Sequence, residues 1–276
     1  GVIEARTPSE HWVVVEISIP ASLARYVVEK GSIAVDGVSR GFDVYRRDVD
    51  ASSLAIGAYS TKAIGGGVKF GYPLSERDSL SFGVSAEQVQ LETFSSSPFA
   101  YQDFVASFGN SYSYGALHGG WARDSRDSLI MTTQGSVMRA TTEFAGGDLQ
   151  YYRLGYNQQY YHPLSRKLTL FLNGDLGVAG GLGGKPLPFF KNFYAGGPGS
   201  VRAYRPYSLG PQDPQGNSLG GNRRLVASAE ILFPVPGADQ DKSLRMAVFI
   251  DGGQVYGRDE KVSLSELRYS AGIALS

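Results

Sequence analysis

From Ile33 to Ser276 every second residue of the sequence tends to be apolar, in runs cut by turn signals at short intervals. Period-two alternation puts successive side chains on opposite faces of an extended backbone, so the pattern demands strands with one greasy and one polar face. In residues 167–179, Leu168, Leu170, Leu172, Leu176 and Val178 share one face, while Thr169, Asn173 and Asp175 share the other. In residues 243–253, Leu244, Met246, Val248 and Ile250 oppose Arg245, Phe249, Asp251 and Gly253. Strands are read over 38–47, 62–72, 79–91, 112–123, 136–144, 149–162, 167–179, 222–233, 243–256 and 267–276, with 73–78 (PLSERD) as a polar turn. No amphipathic helix is expected after residue 31. Residues 1–31 are less regular: 11–19 (HWVVVEISI) reads as a strand ended by Pro20, and 22–29 (SLARYVVE) as either a short helix or a second strand.

Soluble β-sandwiches and membrane β-barrels both alternate in this way. No apolar run reaches the length of a transmembrane helix, but a barrel hides its apolarity in alternate positions. Strands of about ten residues or more, short turns alternating with long loops, and tyrosines gathered near strand ends favour the barrel. Lysine plus arginine and aspartate plus glutamate both total 26, which gives no electrostatic case for nucleic acid or an anionic membrane surface as a partner. There are 0 cysteines, which excludes disulfides, thiolate metal sites and cysteine nucleophiles.

One stretch departs from the alternation, residues 193–211 (FYAGGPGSVRAYRPYSLGP). Gly196, Gly197 and Gly199 crowd around Pro198, and a single cation, Arg202, stands between Val201 and Ala203, with Tyr204 next. Glycine and proline shape such a loop, and a guanidinium presented by it calls for a carboxylate receiver. In 222–233, Arg224, Val226, Ser228 and Glu230 share the polar face, and Asp251 lies on the polar face of the following strand. If the apolar faces meet lipid, Glu230 and Asp251 point into the lumen as neighbours, and two neighbouring carboxylates call for a cation. The alternative is that each pairs with Arg223, Arg224 or Arg245.

Other candidates are weaker. Residues 180–185 (GGLGGK) look like a phosphate loop, but Pro186 stands where a magnesium-holding serine or threonine is needed, and no helix follows. The three histidines, His11, His118 and His162, have no partners at ligand or triad spacing and are read as non-catalytic. Residues 121–127 (WARDSRD), with Asp124, Arg126 and Asp127, read as a solvated turn with surface ion pairs.

Six segments carry a family resemblance: 35–48 (VDGVSRGFDVYRRD), 70–84 (FGYPLSERDSLSFGV), 192–211, 227–234 (ASAEILFP), 249–256 (FIDGGQVY) and 268–276 (RYSAGIALS). In their order and spacing the chain resembles the BamA-like outer-membrane barrel insertases, within the superfamily that includes the two-partner-secretion transporters. The resemblance spans residues 33–276 and implies a transmembrane antiparallel β-barrel of about sixteen strands, about twelve of them in this chain. It implies that a long extracellular loop folds into the lumen and that Arg202 meets Glu230 and Asp251. It also implies a protein of the bacterial outer membrane that works without cofactor, metal or covalent chemistry. Implied partners are outer-membrane lipids, nascent outer-membrane proteins and accessory lipoproteins of an assembly complex. Three departures stand out. Ala203 replaces a family glycine, at a cost on the order of 1 kcal/mol if the backbone there is left-handed. The chain ends before the family's last strands, and residues 1–31 match neither its first strands nor a periplasmic POTRA domain. The expected organisation is an unassigned segment, 1–31, followed by an incomplete barrel, 32–276. Two other readings are a two-partner-secretion pore, which shares the loop motif, and an outer-membrane hydrolase, which needs a serine within reach of His118 or His162.

Overall fold

Eleven strands in chain order make up the sheet of the computed structural model, which describes residues 26–35, 38–51, 58–235 and 244–275. They are β1 (Tyr26–Val35), β2 (Val38–Asp50), β3 (Tyr59–Pro73), β4 (Asp78–Thr93), β5 (Ser111–Asp124), β6 (Gly135–Gly147), β7 (Tyr151–Pro163), β8 (Thr169–Gly181), β9 (Arg223–Pro234), β10 (Arg245–Tyr256) and β11 (Arg268–Leu275). Each of the ten strands read from residue 38 onward is present. The strand read at 11–19 lies outside the described residues. Of the ambiguous 22–29 segment, residues from Tyr26 onward are strand, and β1 runs through the 31/32 position to pair with β2.

The expectation of no helix after residue 31 fails at α1 (Phe99–Phe108). Pro98 opens it, its carbonyl accepting from the N–H groups of Tyr101 (2.9 Å) and Gln102 (3.2 Å), and Gly109 closes it at φ 87. Proline at the start and glycine just past the end are readable stop and start signals. The segment also carries Tyr101, Phe104, Val105 and Phe108 at i, i+3, i+4 and i+7, a short helical stripe that the sequence reading missed, and of these Tyr101 is buried, edge-on to Tyr59 with ring centroids 5.7 Å apart.

The chain divides into two units. The first holds β1–β4, most of β5, the end of β6 and the start of β7. Its buried face carries a tyrosine–carboxylate cluster around Glu87, which accepts from the hydroxyls of Tyr45 and Tyr114 (2.6 Å) and from Arg47 (3.3 Å). Here the register sets Tyr45 opposite Gly65 and Gly65 opposite Glu87, so the Tyr45 side chain crosses a strand where no side chain blocks it. The second unit holds the rest of β5–β7, with β8–β11 and the long loop after β8.

Alternation is plain in β8 and β10 of the second unit. On β10, Val248 and Ile250 are exposed, Ile250 at 53%, while Ala247 and Asp251 are each at 0%. Leu168, Leu172, Leu176 and Val178 of the β8 segment are likewise exposed, so on these strands the long aliphatic side chains form the outward face, and the polar Thr169 and Asp251 lie on the buried one. That inversion of the soluble pattern is the mark of strands whose outer solvent is lipid.

Candidate functional site

Register builds the site. On β10, Asp251 stands opposite Ser228 of β9 on one side and Ser270 of β11 on the other, and Phe249 stands opposite Glu230. Both carboxylates therefore share the buried face within one row of each other, as the alternation requires.

The loop between β8 and β9 supplies the cation. It is held by short pairings within itself: Phe193 with Gly221, Ala195 with Leu209, and Gln212 with Ser218. The 196–201 turn is closed by Gly197 N–H to the Val201 carbonyl (3.1 Å) and by Gly196 N–H to the Ser200 hydroxyl (2.7 Å). Gly196 and Gly197 sit at φ 108 and 90, where a side chain is strained. Gly199 does not: its φ is not positive and a Cβ there would meet nothing within 4 Å. Val201 is fully buried with Ala195, Leu209, Val226 and Val255, and Tyr204 packs on this cluster. Val201 approaches Gly253 so closely that a Cβ on that glycine would lie 2.8 Å from it.

With Val201 seated, Arg202 lands on the carboxylates. Its backbone N–H donates to Asp251 Oδ2 (3.0 Å), its Nε to the same oxygen (2.8 Å), and its Nη2 to Asp251 Oδ1 (2.6 Å), Glu230 Oε1 (2.7 Å) and Ser228 Oγ (3.0 Å). Ser228 donates to Asp251 Oδ1 (2.7 Å) and Ser270 to Oδ2 (3.3 Å), so the buried carboxylate is surrounded by donors. The guanidinium carbon lies 3.5 Å from the centroid of the Phe249 ring. The hydrogen bonds that Arg202 donates to Asp251, with those to Glu230 adding, outweigh burial and hold its guanidinium above its usual range. A bidentate contact, a second carboxylate and an aromatic face together use the geometry that distinguishes arginine from lysine.

The structure thus brings Arg202, Glu230 and Asp251 into one cluster. The competing arginines go elsewhere: Arg224 pairs with Asp175, Arg223 donates to the carbonyls of Gly257 (3.3 Å) and Arg258 (2.6 Å), and Arg245 to that of Thr132 (2.7 Å). Sequence reading missed Ser270 as a donor to Asp251 and the stacking of Arg202 on Phe249. The signal lay in register, which a single strand does not reveal. Ala203 adopts φ 70, the left-handed conformation that a glycine would take without strain, and Tyr207 follows at φ 62.

The remaining candidates resolve simply. Lys185 of GGLGGK donates to the carbonyls of Gly147 (3.2 Å) and Asp148 (2.9 Å), so its ammonium is committed to backbone. In the 121–127 segment, Arg126 holds Asp124 through Nε (3.0 Å) and Nη2 (2.6 Å). Asp127 accepts from the N–H groups of Thr133 (2.9 Å) and Gln134 (3.1 Å) and from the Thr133 hydroxyl, making an ordered loop rather than a loosely solvated turn. His162 stacks on Tyr160 with ring centroids 6.2 Å apart. His118 does have a serine within reach, Ser85, with Oγ 2.8 Å from Nε2. A nucleophilic serine also needs its histidine oriented by a third group. Among the described residues no carboxylate bonds the other ring nitrogen, so the pair is a cross-strand hydrogen bond.

Comparison with known proteins agrees with this architecture. The Omp85 superfamily domain matches residues 25–276. The chain is 37% identical over 282 residues to the outer membrane protein assembly factor BamA of Neisseria meningitidis, covering 87% of this chain and 35% of that protein. The crystal structure of BamA from Haemophilus ducreyi lacking POTRA domains 1–3 superposes with a TM-score of 0.82 at 26% identity, over 91% of this chain and 55% of that one. The chain therefore spans about a third of the length of the curated relative it matches. A stretch of 39 residues, 14% of the chain, is also 74% identical to part of riboflavin synthase from Mycobacterium tuberculosis. A segment of that length is at the limit of about 40 residues below which a chain rarely buries a core, so within this chain it makes no domain by itself. From the alternation, the antiparallel sheet and these matches, the chain belongs to the Omp85 superfamily as a BamA-like transmembrane β-barrel segment of the bacterial outer membrane.

Proposed function

We propose that this chain is the greater part of the barrel of an outer-membrane protein assembly factor, which folds and inserts other β-barrel proteins into the outer membrane. The observation that carries this reading is the 37% identity to an assembly factor across 87% of the chain. The substrates are nascent outer-membrane proteins. Partners are the surrounding lipids and the accessory lipoproteins of an assembly complex. No cofactor or covalent step is required: a weakly paired strand edge offers unsatisfied N–H and C=O groups, and an incoming strand satisfies them by β-augmentation. The role of the 182–222 loop is then to brace the barrel interior while the edge works. Arg202 is its latch, Glu230 and Asp251 the receivers, and Gly196, Gly197, Val201, Ala203 and Tyr204 shape and seat it.

Depleting the full-length protein from its own cells tests this reading. Folded outer-membrane proteins should fall and unfolded precursors accumulate in the periplasm. Unchanged outer-membrane protein levels, with loss of one secreted partner only, would instead identify a two-partner-secretion pore.

A further inference from the structure

We infer that the outer face of β2–β4 holds an anionic phospholipid, with its phosphate on the guanidinium of Arg40. This rests on the lipid-facing orientation of that face and not on the insertion activity.

Register aligns Arg40 of β2 with Phe70 of β3 and Phe82 of β4. The two rings are stacked, with centroids 5.1 Å apart and planes 20° apart. On one side the next row is Phe42, Val68 and Val84, all exposed and apolar. On the other side it contains Tyr72 and Leu80, and exposed Leu74 lies beyond them in the turn to β4. Rows on one face are about 7 Å apart along a strand. Arg40 thus lies inside the apolar band by about one row measured from Tyr72, and about two from Leu74.

Arg40 is exposed on this face. Among the described residues no carboxylate pairs with it: Asp43 is taken by Lys69 (2.7 Å), Asp48 by Arg46 (3.9 Å) and Glu87 by Arg47 (3.3 Å). A cation on the lipid face of a barrel strand is disfavoured according to its depth. A long basic side chain escapes by reaching toward the headgroups and meeting a phosphate. Because among the described residues no unpaired carboxylate neighbours Arg40 to receive the ammonium of a zwitterionic headgroup, the complement is a lipid of net negative charge. Its acyl chains would lie along Phe42, Val68 and Val84 and over the stacked rings.

The test uses the full-length protein in nanodiscs of phosphatidylcholine mixed with phosphatidylglycerol, reading the lipids retained by native mass spectrometry. Wild type should retain phosphatidylglycerol in preference to phosphatidylcholine. Arg40→Leu should lower that preference about fivefold, the factor equivalent to ~1 kcal/mol per basic residue at an anionic surface. Arg40→Lys should keep most of it. Leucine suits a lipid-facing position, so folding of the variant, checked by its heat-modifiable gel mobility, should be unaffected. Arg46→Gln, on the same face of β2 but paired with Asp48, serves as a control and should leave the preference unchanged. No preference in wild type, an equal preference in Arg40→Leu, or an equal loss in Arg46→Gln would each overturn the proposal.

Discussion

Arg202 and Ala203 are adjacent and pull in opposite directions. Arg202 neutralises a carboxylate with 0% side-chain exposure, while itself being 21% exposed and facing a Glu230 that is 13% exposed. Removing one partner of such a pair leaves a buried charge uncompensated, so Arg202→Ala should destabilise the protein by about 3–5 kcal/mol. Arg202→Lys keeps the charge but loses the fork, and should cost about 1.5–3 kcal/mol, the worth of a charge-assisted hydrogen bond. Urea unfolding in detergent micelles measures both, and equal losses for the two variants would show that charge alone matters. Ala203, at φ 70, should behave the other way. Ala203→Gly relieves a left-handed backbone but frees the unfolded chain, for a net gain of about 0.5–1 kcal/mol. A lowered unfolding midpoint would mean that the Ala203 methyl group contributes more by packing than its backbone loses to strain. Glu230 and Asp251 were legible in the sequence because each lies on a polar face that alternation defines. Ser270 was not, since nothing within 268–276 tells which residue of β10 it will oppose.

At the scale of elements, strands were legible and helix α1 was not. A strand announces itself through repeated alternation, whereas α1 shows helical spacing over barely two turns, at Tyr101, Phe104, Val105 and Phe108, between Pro98 and Gly109 at its ends. Cross-strand devices were equally hidden. Tyr45 reaches Glu87 by lying across Gly65, where a Cβ would come 2.9 Å from the tyrosine hydroxyl oxygen and 2.9 Å from the Ala86 carbonyl oxygen. Tyr45→Phe should cost about 1–3 kcal/mol by taking a donor from a buried carboxylate. Gly65→Ala should cost more, because it adds the clash, and parity between the two in thermal unfolding would mean the crossing is not sterically set. The 125–134 loop makes a pH prediction. Hydrogen bonding from Thr133, chiefly its side chain, pushes the Asp127 carboxyl down to about 2. A depressed folded-state pKa stabilises the loop fully above the ordinary carboxylate range of about 4 and loses that contribution as pH falls toward about 2. Amide exchange at Thr133 and Gln134 should therefore stay slow down to about pH 4 and lose protection only below it, whereas loss of protection already above pH 5 would contradict the assignment.

For the whole molecule, what matters is which solvent each face meets. Mean composition is that of an ordinary soluble chain, 42% hydrophobic, because outward Leu172, Leu176, Val248 and Ile250 alternate with inward polar residues. Only their positions distinguish a barrel from a sandwich, and the exposed apolar face decides it. An assembly barrel of this kind needs its long loop latched by Arg202 to Asp251 and Glu230. The latch is tested by the rate at which a small unfolded outer-membrane protein inserts into liposomes containing the full-length protein, wild type or Arg202→Ala, with both barrels first shown to be folded. Wild type should clearly accelerate insertion over empty liposomes, and the variant should lose most of that acceleration. Equal acceleration by both, or none by wild type, would contradict this requirement.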